Sequence, residues 1–498
     1  MIKTMYEPRR KVLWFSIISR LFIIFLQFIF NLLCPDHHAD AFTSRINPND
    51  RITNYDKTIT ILFGGLTRWD AQYFIHIARY GYTYENTLAF FPLYPISVRY
   101  VSRIIKKILF IFNDQSVVLL AAVLINFVCF VRSSVIFYDL SKRVLGNTTT
   151  AYKAAILYCI NPASIFFTAA YSESMFAYLT FYSMIAAIKN NRFVCLPIGL
   201  SGIVRSNGLV NLGYPLYYSI QELFFFSLPK VISEYRHPSV QSGFISELLN
   251  FFSTLLWMFN TILLSLVPFI LLQIYNYILF CTERINSTAV PSHVVNYGLI
   301  NNLVMPGNNK LPWCEQTVPV AYSFVQEKYW NVGFLKYYQI KQLPNFCLAM
   351  PILYIMLKCA KEYFIENKRQ LYNFEFLTTN SVEKVSITKR YPVQMFPFVV
   401  HGLFLTIFCI LFVHIQVSTR LLGSASPLLY WFSAITMSHR VRKSDKDEYE
   451  INDNAYSKWK VFFMNQKKYT KKDKLFLIYF LGYTIIGCFM YSNFLPWT

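Results

Sequence analysis

Long apolar runs separated by short polar or basic segments dominate the chain. Val12–Leu33, Val117–Tyr138, Phe252–Leu279, Phe396–Val417 and Leu475–Tyr491 are largely apolar. Each is about 18 residues or longer, enough to cross about 30 Å of hydrocarbon as a helix. Shorter runs at Ala154–Ala170, Met175–Ile188, Val194–Leu212, Tyr214–Leu228, Phe346–Leu357 and Pro427–Ile435 predict further crossings. The Tyr214–Leu228 piece carries Glu222 and is interrupted by Pro215 and flanked by Pro229, so its crossing is the weakest expectation. The pattern predicts an all-α polytopic membrane protein of about eight to eleven transmembrane helices, built as one integral domain over residues 1–498. Two long polar loops, 34–114 and 282–344, interrupt it.

Charge sets the orientation. Arg9, Arg10 and Lys11 precede the first apolar run, which is longer than a signal-peptide core, lacks an evident cleavage site and reads as a retained anchor. The formal charge of +21 is concentrated: Lys358–Arg390 holds seven basic residues and Arg440–Lys474 eleven. Both clusters lie between spans, where the positive-inside rule puts them in the cytosol, so the basicity reports topology and calls for no nucleic-acid partner. Both long loops are then luminal, Asn286 is an accessible glycosylation sequon, and Asn147 is a cytosolic one. Composition agrees, with 55% hydrophobic and 15% charged residues, too apolar for an ordinary soluble enzyme. The ten cysteines are scattered without zinc-site spacing, and Cys34 and Cys314 are the luminal candidates for oxidation.

The densest chemistry lies in the first loop, Arg68–Tyr82 followed by Ala89–Pro95. On a helix, Trp69, Tyr73 and His76 fall at i, i+4 and i+7 and share one face, beside Asp70. An acid beside aromatic rings suits carbohydrate chemistry. A sugar carried on a lipid phosphate leaves with an already ionised group, so one general base and one cation suffice. Asp70 is the candidate base, and helix capping is its competing structural role. In Cys34-Pro-Asp-His-His-Ala-Asp40, Asp36 and Asp40 are alternative bases and His37 a substrate-orienting residue. No third cluster at ligand spacing supports a metal there.

Arg205 and Asn207 lie in an otherwise apolar run, where a cation needs a partner; a lipid phosphate and Glu173 both qualify. Lys336, Lys341 and Arg420 sit beside membrane, where they contact phosphates or simply anchor helices. Asp445-Lys-Asp447 is a D-x-D pair, but it falls in the cytosolic basic loop. Nucleotide-binding loops, zinc-protease motifs and serine-hydrolase elbows are missing.

Several blocks resemble the PIG-V type mannosyltransferase family of GPI-anchor assembly: Pro35–Asp40, Trp69-Asp70 with Phe90–Pro95, Asn161–Glu173 and Arg205–Gly208. Tyr329–Gly333, Gln416–Pro427 and Asn493–Thr498 continue the resemblance in order along nearly the whole chain. It implies a GT-C type, metal-independent enzyme of the endoplasmic reticulum without a cofactor. Such an enzyme takes mannose from dolichyl phosphate mannose and adds the second, α-1,6-linked mannose to the GPI glycolipid acceptor in the lumen. It also implies a catalytic acid in the first luminal loop. A sister transferase of N-glycan assembly, a non-catalytic subunit and a lipid transporter or scramblase are the rival readings; a small accessory membrane subunit is left open.

Overall fold

The computed structural model describes residues 8–39, 41–236, 241–282, 290–307, 311–378, 390–438 and 469–497. Asp40, Asn286, Asp445 and Asp447 therefore lie outside the described residues. Every regular element among the described residues is helical. The first half holds α1 (Pro8–Leu33), α2 (Asn54–Phe63), α3 (Ala71–Tyr80) and α4 (Leu93–Ile108). It continues through α5 (Asp114–Leu145), α6 (Thr148–Cys159), α7 (Glu173–Ile188) and α8 (Cys195–Gly202). The second half comprises α9 (Gln241–Cys281), α10 (Ala321–Trp330), α11 (Leu343–Glu366) and α12 (Phe396–Phe412). It ends with α13 (Ser418–Ala425), α14 (Leu428–Ser438) and α15 (Lys471–Ser492).

Among the described residues six helices are long and apolar enough to span a bilayer, and the segments Glu173–Ile188 and Leu428–Met437 are shorter apolar helices. The protein is thus a multi-pass membrane protein. One end of the bundle is basic: Arg9 at the start of α1 pairs with Asp139 near the end of α5 at 3.1 Å, and Lys142 and Arg143 follow in the last turn. Helix α5 packs against α1, α4, α6 and α7, and forms the centre of the buried core.

Two expected crossings are broken rather than continuous. The Ala154–Ala170 run is helical only to Cys159, after which residues 160–172 follow a buried, irregular path. At membrane depth such backbone persists only where protein groups satisfy it. Arg20, 1% exposed in α1, does this: its guanidinium donates to Ser164 O at 2.8 Å, Cys159 O at 2.9 Å, Thr168 Oγ1 at 3.0 Å and Ser164 Oγ at 2.7 Å. It also lies 3.8 Å over the Phe130 ring. From the other side, Asn126 Nδ2 donates to Tyr171 O at 3.0 Å and to Ala169 O. In the sequence Asn161-Pro162, Ser164 and Thr168 interrupt this run, but averaged hydropathy hides them and carries no information about the backbone path.

The Val194–Leu212 run likewise splits into α8 and a tight turn over Ser206–Leu212. Gly208 makes this possible, because a Cβ there would meet the backbone of Ser201 and Gly202, the Gly202 nitrogen at 2.6 Å. Ser201 Oγ lies 3.2 Å from Gly208 O and closes the turn that presents Arg205. Gly208→Ala is expected to destabilise the protein by about 1–3 kcal/mol through overpacking, read as a lower unfolding midpoint in detergent. An unchanged midpoint would show that the turn can yield.

Cysteine pairing departs from expectation. Cys314 is bonded, but to Cys281 at the end of α9, with a Cα–Cα distance of 5.7 Å, while Cys34 is a free thiol. The bond ties the loop preceding α10 to the top of α9; the 33-residue separation hid the pair from inspection of spacing.

Candidate active site

Helix α3 starts at Ala71, so Trp69 and Asp70 precede it and Trp69 is not on its face. Trp69 has φ +55, a left-handed conformation uncommon for a bulky residue and of a kind that gathers at functional sites. Asp70 itself is helical in φ and ψ, and its side chain makes no capping bond. Its backbone N–H donates to Tyr171 Oη at 3.0 Å, which fixes the residue from the irregular 160–172 segment. The carboxylate is thereby left to face another partner.

That partner is Arg420 on α13, whose Nη2 lies 2.9 Å from Asp70 Oδ2. Arg420 Nε is 3.9 Å from Glu173 Oε1, and the same oxygen accepts from Arg205 Nη1. Two acids and two arginines therefore alternate in a row, Asp70, Arg420, Glu173 and Arg205. The row is deepest at Glu173: the side chain of Asp70 is 27% exposed, that of Arg420 15%, that of Glu173 1% and that of Arg205 17%. Arg420 also stands over the rings of Phe166 and Tyr171, 5.3 and 5.4 Å from their centroids. Burial acts to lower the Arg420 pKa, but Asp70 and then Glu173 outweigh it, so the guanidinium stays firmly charged.

Several polar atoms in this row and on residues flanking it in sequence are buried without a hydrogen-bond partner: Glu173 Oε2, Arg420 Nε, Thr419 Oγ1, Trp69 Nε1 and Asn207 Nδ2. Buried polar atoms are nearly always satisfied. Their concentration around two arginines marks a place suited to an anionic, hydroxyl-rich ligand. Among the described residues no group of three or more His, Cys, Asp or Glu side chains is placed to hold a metal.

The other sequence candidates are distributed around this row. Asp36 pairs with Arg68, Oδ2 to Nη2 at 2.8 Å, and its side chain is 42% exposed. The His37 N–H donates to Asn493 O at 2.9 Å, so the Pro35–Ala39 segment is held against the C-terminal residues. Arg68 also reaches Asn31 Oδ1 at 2.9 Å and covers Phe494, whose ring meets Trp69 edge-on at 5.9 Å. Tyr73 is stacked between Phe42 and Phe90, at 4.3 and 4.4 Å, with Trp330 edge-on at 5.9 Å. Lys336 pairs with the exposed Glu327 at 2.6 Å, apart from the Asp70 row.

His76 is not open to a ligand. It is 1% exposed, its Nε2 lies 2.7 Å from Thr83 Oγ1, and its ring stacks on Tyr84 at 5.0 Å. Burial, then the nearby Arg79, depresses its pKa to about 3 from 6.5. The unfolded chain therefore binds a proton that the folded chain refuses between pH 6.5 and 3, so stability from this site falls as the pH drops through that window. The unfolding midpoint should decline less between pH 7 and pH 5 in His76→Gln than in the wild type. Equal declines would place the proton-sensitive group elsewhere.

One residue escaped the sequence reading. Glu85 is fully buried and accepts from Trp313 Nε1 at 3.0 Å, Tyr329 Oη at 2.8 Å and Lys328 Nζ at 2.5 Å. It joins the first loop to the second, and the neighbouring Trp330 then reaches the Tyr73–Phe90 stack. A lone Glu between Tyr84 and Asn86 gives no local signal, because its partners lie more than 200 residues away.

Comparison with known proteins identifies the family of the chain. The family description Mannosyltransferase (PIG-V) matches residues 9–498. GPI mannosyltransferase 2 of Drosophila melanogaster is 34% identical, covering 98% of this chain and 99% of its own. GPI alpha-1,6-mannosyltransferase 2 of Rattus norvegicus and of Homo sapiens are 33% and 32% identical, each covering 99% of both chains. Among solved structures, the Archaeoglobus fulgidus oligosaccharyltransferase is 10% identical, with a TM-score of 0.40 over 96% of this chain and 55% of that one. Near-complete coverage at this identity leaves no segment of substantial length unaccounted for: the chain belongs to the Mannosyltransferase (PIG-V) family.

Proposed function

We propose that this protein transfers the second, α-1,6-linked mannose from dolichyl phosphate mannose to the GPI-anchor precursor in the endoplasmic reticulum lumen, as a GT-C type enzyme. The observation that carries the reading is the row Asp70, Arg420, Glu173 and Arg205, which sets an accessible carboxylate beside partly buried cations. Asp70 removes the proton from the attacking hydroxyl of the acceptor as the new C–O bond forms at the mannose anomeric carbon. The anomeric carbon–oxygen bond breaks, and dolichyl phosphate departs as an ionised phosphate onto Arg420 and Arg205. Glu173 holds both arginines in place. Trp69 supplies a ring near the sugar and Asn207 an amide, while Tyr73, covered on both faces by Phe42 and Phe90, stiffens the loop that carries Asp70.

Asp36 is the second choice for the base and Asp40 the third; the Arg68 pair gives Asp36 a structural task. Orientation follows charge: the basic end of the bundle belongs in the cytosol, which leaves loops 34–114 and 282–344, and the row between them, in the lumen. The names of the relatives favour this acceptor over an N-glycan precursor. Microsomes from cells lacking the protein, supplied with dolichyl phosphate mannose and the one-mannose GPI precursor, test the reading. Two-mannose product should appear only on re-expression, with N-glycan precursors unchanged. Absence of that product from well-expressed wild type would overturn it.

A further inference from the structure

A cavity of about 970 Å3 lies far from the Asp70 row, at the upper end of the roughly 300–1,000 Å3 typical of small-molecule sites. It is bounded by the end of α7, by residues 218–226 and by Leu249–Asn260 of α9. Helix α7 begins with Glu173 and runs 16 residues to Ile188, which puts the cavity about 24 Å from that acid at helical rise. It lies toward the basic end of the bundle, because Lys189, which follows α7, is near Asp139, the partner of Arg9.

Its walls combine two chemistries. Leu249, Phe252, Leu256 and Phe226 give an apolar wall, while Arg192 and Glu222 bring opposite charges, and Tyr218 and Trp257 bring aromatic rings. Neither Arg192 nor Glu222 forms an ion pair among the described residues. Glu222 opens a π-helical turn, Glu222–Ser227, a distortion that occurs often at functional sites. Tyr and Trp are characteristic of the headgroup level of a membrane.

We propose that this cavity binds the headgroup of a zwitterionic glycerophospholipid of the leaflet on the basic side. Arg192 takes the phosphate, Glu222 and the ring faces of Tyr218 and Trp257 take the ammonium, and the apolar wall receives the upper acyl chains. Charge complementarity selects this occupant. An anionic headgroup leaves Glu222 unmatched and repelled, and an apolar partner helix would bury both charges without partners.

Native mass spectrometry of the full-length protein, purified in mild detergent and offered equal phosphatidylethanolamine and phosphatidylglycerol, tests the proposal. Wild type should retain phosphatidylethanolamine in preference by about two- to fivefold, the factor expected of an exposed charge pair. Glu222→Gln should abolish the preference, Glu222→Lys should reverse it, and Arg192→Ala should lower retention of both lipids. An equal preference in wild type and Glu222→Lys, or a co-purified polypeptide in place of lipid, would overturn the proposal. Retained mannosyl transfer in these variants reports intact folding, since none of the changed residues lies in the Asp70 row.

Discussion

Asp70→Asn lowers mannosyl transfer by about 10²–10⁴-fold at equal expression, the range typical of a lost general base, whereas Asp36→Asn keeps most of the activity. Asparagine matches aspartate in shape, and its amide oxygen can still accept from Arg420, so the row stays assembled while the proton acceptor is gone. Asp36 is bound to Arg68 at 2.8 Å, and its loss loosens the Pro35–Ala39 segment without touching Arg420. Initial rates in microsomes, with protein levels matched by immunoblot, make the comparison. Full activity in Asp70→Asn would move the base to another carboxylate; parallel losses in both variants would make the first loop as a whole the sensitive element. Complete retention in every acid variant would favour a non-catalytic role for the chain.

Arg420→Ala should lower the rate by about 10²–10³-fold, as when a preorganised donor to developing negative charge is removed. The variant also strips Asp70 of its salt-bridge partner and leaves Glu173 with Arg205 alone. Lys336 provides the contrast, because it is another cation expected near the membrane surface but pairs with a 63% exposed Glu327. A surface pair of that kind contributes about 0–1 kcal/mol, and Lys336→Ala should hold its rate within about twofold. If the two variants lose activity equally, general surface charge governs donor binding and the row does not.

Much of the architecture was legible in the sequence because membrane spans declare themselves by length and apolarity. Helices α1, α5, α9 and α15 each contain one of the five long runs, α12 covers the remaining one only as far as Phe412, and Asp70, Glu173, Arg205 and Arg420 stand out in the sequence as charges in apolar or aromatic surroundings. What could not be read was their adjacency. Asp70 and Arg420 are 350 residues apart, and no local periodicity links an acid in the first loop to a cation after α12. The breaks at residues 160–172 and at Gly208 were hidden for a different reason: Asn161-Pro162 and Arg205-Ser-Asn-Gly208 interrupt runs that are apolar on average, and the path the chain then takes is dictated by Arg20, Asn126 and Ser201 in other helices. Trp69 was placed on a helical face by spacing alone, whereas the helix begins two residues later at Ala71.

Arg20 has a further consequence for how the chain is made. It lies in the first span, yet its partners are 139 to 148 residues downstream. At a synthesis rate of about 5–20 residues per second, they emerge on the order of 7–30 s after it. During that interval the first helix holds an unmatched cation in the bilayer, a penalty of about 2.5–3.5 kcal/mol near its centre on insertion scales. The nascent protein is therefore most vulnerable early. Its first span depends on the translocation machinery or an intramembrane chaperone until residues 159–168 arrive to claim the guanidinium, and truncations ending before them should be recognised as unassembled and degraded.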